Sequence, residues 1–403
     1  MTSREDPTRP VEALESGTLD GDHAFRGDVE GLRALAVALV ILAHAAVPGF
    51  SGGFVGVDVF YVISGFVITG VLLRRIESTG RLSFLDFYAR RARRILPAAG
   101  LVLLVTVVMS YHYLGFLRGA MIADDARWAS TFLANVHFAA RDTNYFGGQF
   151  PPSPLQNYWS LSVEEQFYLV YPLLLVLCLR LVRVGRPRTV TAVVTAVVVV
   201  VSLSWSVHAT AVNSATAYFS SATRAWELAL GGFISATTHW WRRLPPLVSS
   251  VASWAGLVGV GLATAFFSSR TSYPGDAALL PVVGAGLVIV GGAGRARGAA
   301  AVLLARAPAR WVGKISYSLY LWSWPLLTLA TQNSTNGLSL ADRALTILGS
   351  LIAASATYYL VENPLRRARP LVRYPWWSLV LGLVIIAAVL GFATYKISII
   401  PAL

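Results

Sequence analysis

Apolar residues along this chain come in long blocks instead of alternating with polar ones. The run from Thr189 to Trp205 is nearly pure Val, Thr and Ala, and Pro97 to Val108 and Leu379 to Phe392 are similar. A helix needs about twenty apolar residues to cross a hydrocarbon core ~30 Å thick, and a soluble fold has no use for such runs in series. The pattern predicts eleven spans, at roughly 32–47, 55–73, 95–114, 163–182, 189–208, 218–237, 247–267, 277–293, 316–332, 342–361 and 376–394. Between the third and fourth, residues 115–160 form the longest connection, and Ile122 to Phe138 within it reads as an interfacial helix. The expected fold class is therefore all-α, a polytopic membrane helix bundle of about eleven transmembrane helices.

Charge supplies the orientation. With the N-terminus inside, the inner loops contain twenty-two Arg and Lys residues and the outer segments five, Arg118, Arg127, Arg141, Arg270 and Lys396. That asymmetry is the positive-inside pattern. An odd number of spans then places the C-terminus outside. Residues 1–25 are polar, without an apolar core, and are expected to form a disordered cytoplasmic tail. No repeat of fixed period runs through the chain, and no inverted repeat of the transporter kind.

Composition sharpens this reading. Hydrophobic residues make up 55% and charged residues 13% of 403, about half the charge of a soluble domain. The net charge of +13 would suit nucleic acid, but the basic residues fall between apolar spans, where they face anionic lipid and the cytoplasm. The lone Cys178 lies inside an apolar run and reads as a small core residue.

Four segments carry chemistry. Arg33 and His44 in the first span are eleven residues apart, so they share a helix face with about 16 Å between them. Ionisable groups within a span are costly, and histidine is the usual general base near neutral pH; alternatively, His44 reaches the outer interface and binds water or a carbonyl. The segment Phe87 to Pro97 reads as an inner loop, and its four arginines, Arg90, Arg91, Arg93 and Arg94, can hold phosphate as bidentate forks or face lipid phosphate. Asp58, near the outer end of the second span, can orient His44 or cap its own helix. In Ser162-Val-Glu-Glu165 the outer two residues have capping-box spacing, which leaves Glu164 as the better acid–base candidate.

Taken together these segments resemble the acyltransferase-3 family of bacterial membrane O-acyltransferases. The resemblance rests on the Arg33/His44 spacing, on Gly56-Val-Asp and Ser64-Gly-Phe in the second span, and on Arg90, Arg91 and Arg94. It continues in Tyr158-Trp-Ser-Leu-Ser-Val-Glu-Glu-Gln-Phe-Tyr168, Ile315-Ser-Tyr-Ser-Leu-Tyr-Leu-Trp322 and Val361-Glu-Asn-Pro-Leu-Arg366, and covers roughly residues 25 to 370. It implies an O-acetyltransferase or other O-acyltransferase of the bacterial inner membrane. The donor would be acetyl-CoA or another acyl-CoA from the cytoplasm, and the acceptor a hydroxyl of an envelope glycan or glycolipid outside. It further implies a catalytic His44 and a donor site at Arg33, Arg90, Arg91 and Arg94. Asp58 or Glu164 would steady the imidazolium, and Glu165, Tyr168 and Trp159 would face the acceptor. No metal and no nucleic acid is expected. One departure is Ser323-Trp324-Pro325, where members often have His-Trp-Pro. The expected domains are the tail, an acyltransferase membrane domain of ten spans over 26–370, and one further helix over 371–403. That helix would lead outward, as in members that carry an extracellular SGNH domain. Direct transfer and a relay through an acyl-enzyme are both open. A secondary transporter or lipid flippase is the rival class; it accounts for the spans and the buried His but not for arginines opposite it.

Overall fold

The computed structural model describes residues 26–141, 145, 151–182, 186–294 and 296–399, so the expected tail lies outside the described residues. The longer helices are α1 (Gly27–His44), α2 (Gly56–Thr79), α3 (Phe84–Ser130), α4 (Ala134–Ala140), α5 (Tyr158–Val182), α6 (Pro187–Val212) and α7 (Ser214–Phe219). They continue as α8 (Ser221–Ala236), α9 (Pro246–Phe266), α10 (Leu279–Ala293), α11 (Ala307–Asn333), α12 (Leu340–Thr357) and α13 (Pro375–Ser398). Among the described residues there is no strand. The expected spans fall largely on these helices, except that 218–237 is divided between α7 and α8 and 342–361 runs beyond α12 into Tyr358–Glu362. Seven are long and apolar enough to cross a membrane: α2, α3, α5, α6, α9, α13, and α12 taken with its continuation to Arg367.

Helix α6 is inside out compared with a helix of a soluble protein. On α6 the buried positions are mostly hydroxyls, Thr191, Thr195, Ser202 and Ser206, while Val193, Val197, Val200 and Val201 stand more than half exposed. Ser202 donates to the Ala222 carbonyl at 2.6 Å and accepts from the Trp226 N–H at 3.0 Å, tying α6 to α8. Small polar residues inward and valines outward suit a lipid solvent, which removes any hydrophobic drive between helices and leaves packing and hydrogen bonds to hold them. The protein is a multi-pass membrane protein.

Close backbone approach does the rest. Gly65 on α2 lies against the Leu228 carbonyl of α8, and Gly231 of α8 lies against the Val62 carbonyl of α2. A side chain at either place would strike backbone, so this crossing requires glycine on both helices.

The arginine segment is not a loop. Ser83 accepts the Asp86 N–H at 3.2 Å and caps α3, so the helix is two turns old when it reaches Arg90. The Ala, Arg and Leu of this stretch are strong helix formers, which is why charge alone misplaces it. Helix α3 then runs through Pro97 and breaks at Gly115, whose φ is 78°. The expected interfacial helix Ile122–Phe138 is two pieces, because Phe132 at φ 56° separates the end of α3 from α4.

Helices α3 and α13 lie side by side and parallel: Gly382 meets Leu96, Gly100 meets Ile385, and the Tyr111 hydroxyl donates to the Lys396 carbonyl at 2.8 Å. At the other end of the bundle Arg33 and Arg94 are electrostatic neighbours.

Candidate active site

His44 occupies the last turn of α1. Its Nε2 shares a hydrogen bond of 3.0 Å with the Tyr145 hydroxyl, and the Trp324 ring of α11 stands edge-on at 4.4 Å between centres. Trp324 is itself fixed, donating from Nε1 to the Ser153 carbonyl at 2.8 Å. The other ring nitrogen of His44, Nδ1, is buried without a partner among the described residues. Tyr145, between α4 and α5, stacks on Tyr218 at 4.5 Å and lies edge-on to Trp159 at 6.2 Å. Sequence reasoning missed Tyr145, because a tyrosine in a connecting segment carries no periodic signal.

Eleven residues along the same continuous helix from His44, about 16 Å away, Arg33 donates from Nε to Ser316 Oγ of α11 at 3.2 Å. Around it converge Arg94 from α3, and Glu362 and Arg366 just beyond α12. Ser318 holds the Glu362 carboxylate at 2.8 Å. Glu362 arrives through a widened π-turn, Tyr358–Glu362, a local distortion that often marks functional positions. Three arginines thus surround one buried carboxylate, and Arg94 makes no hydrogen bond or ion pair among the described residues. Glu362 and Arg366 were visible in sequence only as part of the Val361-to-Arg366 motif, with no role attached.

Several expected roles move. Asp58 neither orients His44 nor caps α2; its carboxylate takes Arg224 of α8 at 2.8 Å. Asp58 lies seven residues before Gly65, two turns along the same stripe, and that stripe faces α8. Ser162 and Glu165 form no capping box, because α5 already begins at Tyr158 and Ser162 donates back to the Tyr158 carbonyl at 2.9 Å. Glu165 instead pairs with Arg91, whose guanidinium also lies 3.8 Å over the Tyr168 ring. Glu164 accepts from Ser64 and from Tyr168, at 2.8 Å each, and stands 3.8 Å from Arg91. Neither Glu164 nor Asp58 is within reach of His44. Arg91, Glu165 and Tyr168 therefore join α3 to α5 inside the bundle, and Nη2 of Arg91 is already held by Glu165. Arg90 is half-buried one turn before Arg94. Trp159 is fully buried and forms a wall beside Tyr145. Ser323, where the family often has histidine, turns away to the Tyr320 carbonyl at 3.4 Å, while the next residue, Trp324, meets His44.

A membrane helix bundle with a buried histidine at one end of its first helix and clustered arginines at the other defines the class. The chain belongs to the acyltransferase-3 family, whose acyltransferase-domain model matches residues 26–396. It is similar to the peptidoglycan O-acetyltransferase OatA of Listeria monocytogenes, with 32% identity over 352 residues, 84% of this chain and 55% of the relative. It is also similar to the O-acetyltransferase OatA of Staphylococcus aureus, with 29% identity over 352 residues, 84% of this chain and 57% of the relative. The chain thus spans a little over half the length of these curated relatives. No solved structure matches it.

Proposed function

We propose that this chain is an O-acetyltransferase of the bacterial plasma membrane that takes an acetyl group from cytoplasmic acetyl-CoA and passes it to an envelope glycan outside. The observation that carries the reading is the 3.0 Å contact between His44 and the Tyr145 hydroxyl, on the helix that bears Arg33 three turns away. Relatives named for peptidoglycan O-acetylation support a glycan acceptor.

Arg33, Arg94 and Arg366, with Arg90 at the margin, would hold the donor's phosphates, since bidentate forks and a surplus of positive charge are what phosphate needs. Arg91 leaves the donor set because Glu165 already holds its Nη2. The pantetheine arm then runs along α1 toward His44. The nearest hydroxyl to the base is that of Tyr145, which favours the relay over direct transfer. In the first step His44 Nε2 takes the phenol proton and the Tyr145 oxygen attacks the thioester carbonyl. The carbon–sulfur bond breaks, and the departing thiolate takes the proton back from the imidazolium. In the second step His44 takes the proton of a glycan hydroxyl as its oxygen attacks the acetyl carbonyl; the ester bond to Tyr145 breaks and the departing phenolate takes that proton back. Eleven spans, with the arginine cluster inward and both His44 and the end of α13 outward, fit this scheme; the pairing of Tyr111 with Lys396 supports that sidedness.

The test is to incubate the purified protein with radiolabelled acetyl-CoA and map the label. Label on Tyr145, lost in Tyr145→Phe and in His44→Ala, is the expected result. Undiminished transfer to glycan by Tyr145→Phe would remove the relay, and undiminished transfer by His44→Ala would remove the base.

A further inference from the structure

The site described so far does not use Arg224, one of the largest fully buried side chains in the protein. Its Nη1 reaches Asp58 at 2.8 Å and Glu227 at 3.0 Å, and its Nε donates to the Tyr218 carbonyl at 3.3 Å. The exposures are 1% for Arg224, 1% for Asp58 and 0% for Glu227. Ionic groups this deep are expensive, and an apolar substitute of similar shape often serves stability as well, so stability alone is a weak reason to keep them. The side chains around the guanidinium suggest another. Its carbon lies 4.8 Å from the centre of the Tyr218 ring, 5.1 Å from Tyr273 and 5.5 Å from Trp159. Tyr218 and Trp159 are two of the rings against which Tyr145 rests. Tyr218 also stands in side-chain hydrogen-bond relation to Tyr145.

We propose that Arg224 is a positioning residue for acyl transfer: anchored by Asp58 and Glu227, it fixes the Tyr218 ring, and Tyr218 holds Tyr145 against His44. The ring stack is what sets the Tyr145 hydroxyl at the histidine. Each link is a contact: carboxylates to guanidinium, guanidinium to the Tyr218 carbonyl and ring face, ring to ring, hydroxyl to imidazole. Asp58 belongs to the catalytic apparatus in this indirect way, four contacts removed from His44. The chain of contacts also acts electrically. Burial pushes the Tyr145 hydroxyl above the ordinary phenol range, and the Tyr218 hydrogen bond and the Arg224 charge oppose that push.

This inference rests on the reading of Tyr145 as first acyl acceptor, and the experiment separates the two. Loading of radiolabelled acetyl-CoA onto the purified protein is followed in single turnovers across donor concentrations, giving a maximal rate and a half-saturating concentration. Tyr218→Leu leaves the ion cluster intact and removes the ring. It is expected to lower the maximal rate at least tenfold with an unchanged half-saturating concentration. Tyr218→Phe keeps the ring and is expected to load several-fold faster than the Leu variant. A purely structural role would lower the amount of folded protein and leave the rate per folded molecule alone. Arg224→Met alone strands two buried carboxylates, so the cluster is tested as the triple variant Arg224→Met, Asp58→Asn, Glu227→Gln, whose loading rate is expected to fall likewise. If Tyr218→Leu loads within twofold of wild type while Tyr145→Phe is dead, the positioning role is overturned and the acceptor reading stands. If Tyr145→Phe loads as wild type does, or wild type takes no label, both fall together.

Discussion

Arg343, near the start of α12, donates from Nη1 to the carbonyl of Ala45 at 3.0 Å, and to that of Ala46 at the same distance. These are the first two residues after α1, directly behind His44. A helix C-terminus leaves carbonyls unsatisfied and carries partial negative charge, so a guanidinium there closes the helix and stiffens its last turn. The expectation is that Arg343→Ala loosens the seat of His44. Loss of a charged hydrogen bond of this kind costs about 1.5–3 kcal/mol. Thermal unfolding in detergent and the acetyl loading rate should both fall, whereas donor affinity, set at the other end of α1, should not change.

His44→Ala is expected to leave a folded, inserted protein and to reduce acetyl transfer by about 10²–10⁴, the usual share of a general base. Size-exclusion elution and thermal transition establish the fold, and label transfer from acetyl-CoA gives the rate. Near wild-type transfer would take His44 out of the chemistry.

Arg94 and Arg91, one turn apart, are expected to separate cleanly. Arg94→Ala should weaken coenzyme A binding, read by calorimetry, with little effect on stability, since Arg94 has no ion-pair partner among the described residues. Arg91→Ala strands Glu165 and should lower the thermal transition; adding Glu165→Gln should restore most of it. A single Arg91 variant that lost coenzyme A binding at unchanged stability would reverse the assignment.

Gly65→Leu should prevent α2 and α8 from meeting, because the new side chain would occupy the place of the Leu228 carbonyl. Overpacking of this kind typically costs 1–3 kcal/mol, and a backbone clash belongs at about the upper end. Expression as folded protein reports the outcome. Gly391→Leu, on α13 with open space around it, is the control and should behave as wild type.

Sidedness is tested with Ile399→Cys in a Cys178→Ala background. A thiol reagent that cannot cross membranes should label intact cells, since residue 399 follows Lys396 at the end of α13 opposite the arginines. Labelling only after the membrane is broken would invert the topology and place His44 on the cytoplasmic side.

The sequence by itself determined that this is a helical membrane protein, because the length and apolarity of a span are properties of consecutive residues. The expected segments lie largely on helices for that reason. It also determined the pairing of Arg33 with His44, since helix geometry fixes where two residues eleven apart must point. The family followed from motifs that survive as short strings. What only the tertiary structure decided is which charge meets which. Asp58, Glu164, Glu165 and Arg91 all looked available in the sequence, and all four proved to be engaged by other side chains. The Asp58–Arg224, Glu164–Ser64 and Glu165–Arg91 contacts join residues 166, 100 and 74 positions apart along the chain. Buried charges take whichever partner the packing of the helices brings within about 3 Å, and that packing is set by glycines and small hydroxyls whose contacts no local pattern reveals. Tyr145 is the clearest case: nothing in its neighbourhood along the chain marks it, and it becomes the partner of His44 only when α1, α7 and α11 close around it.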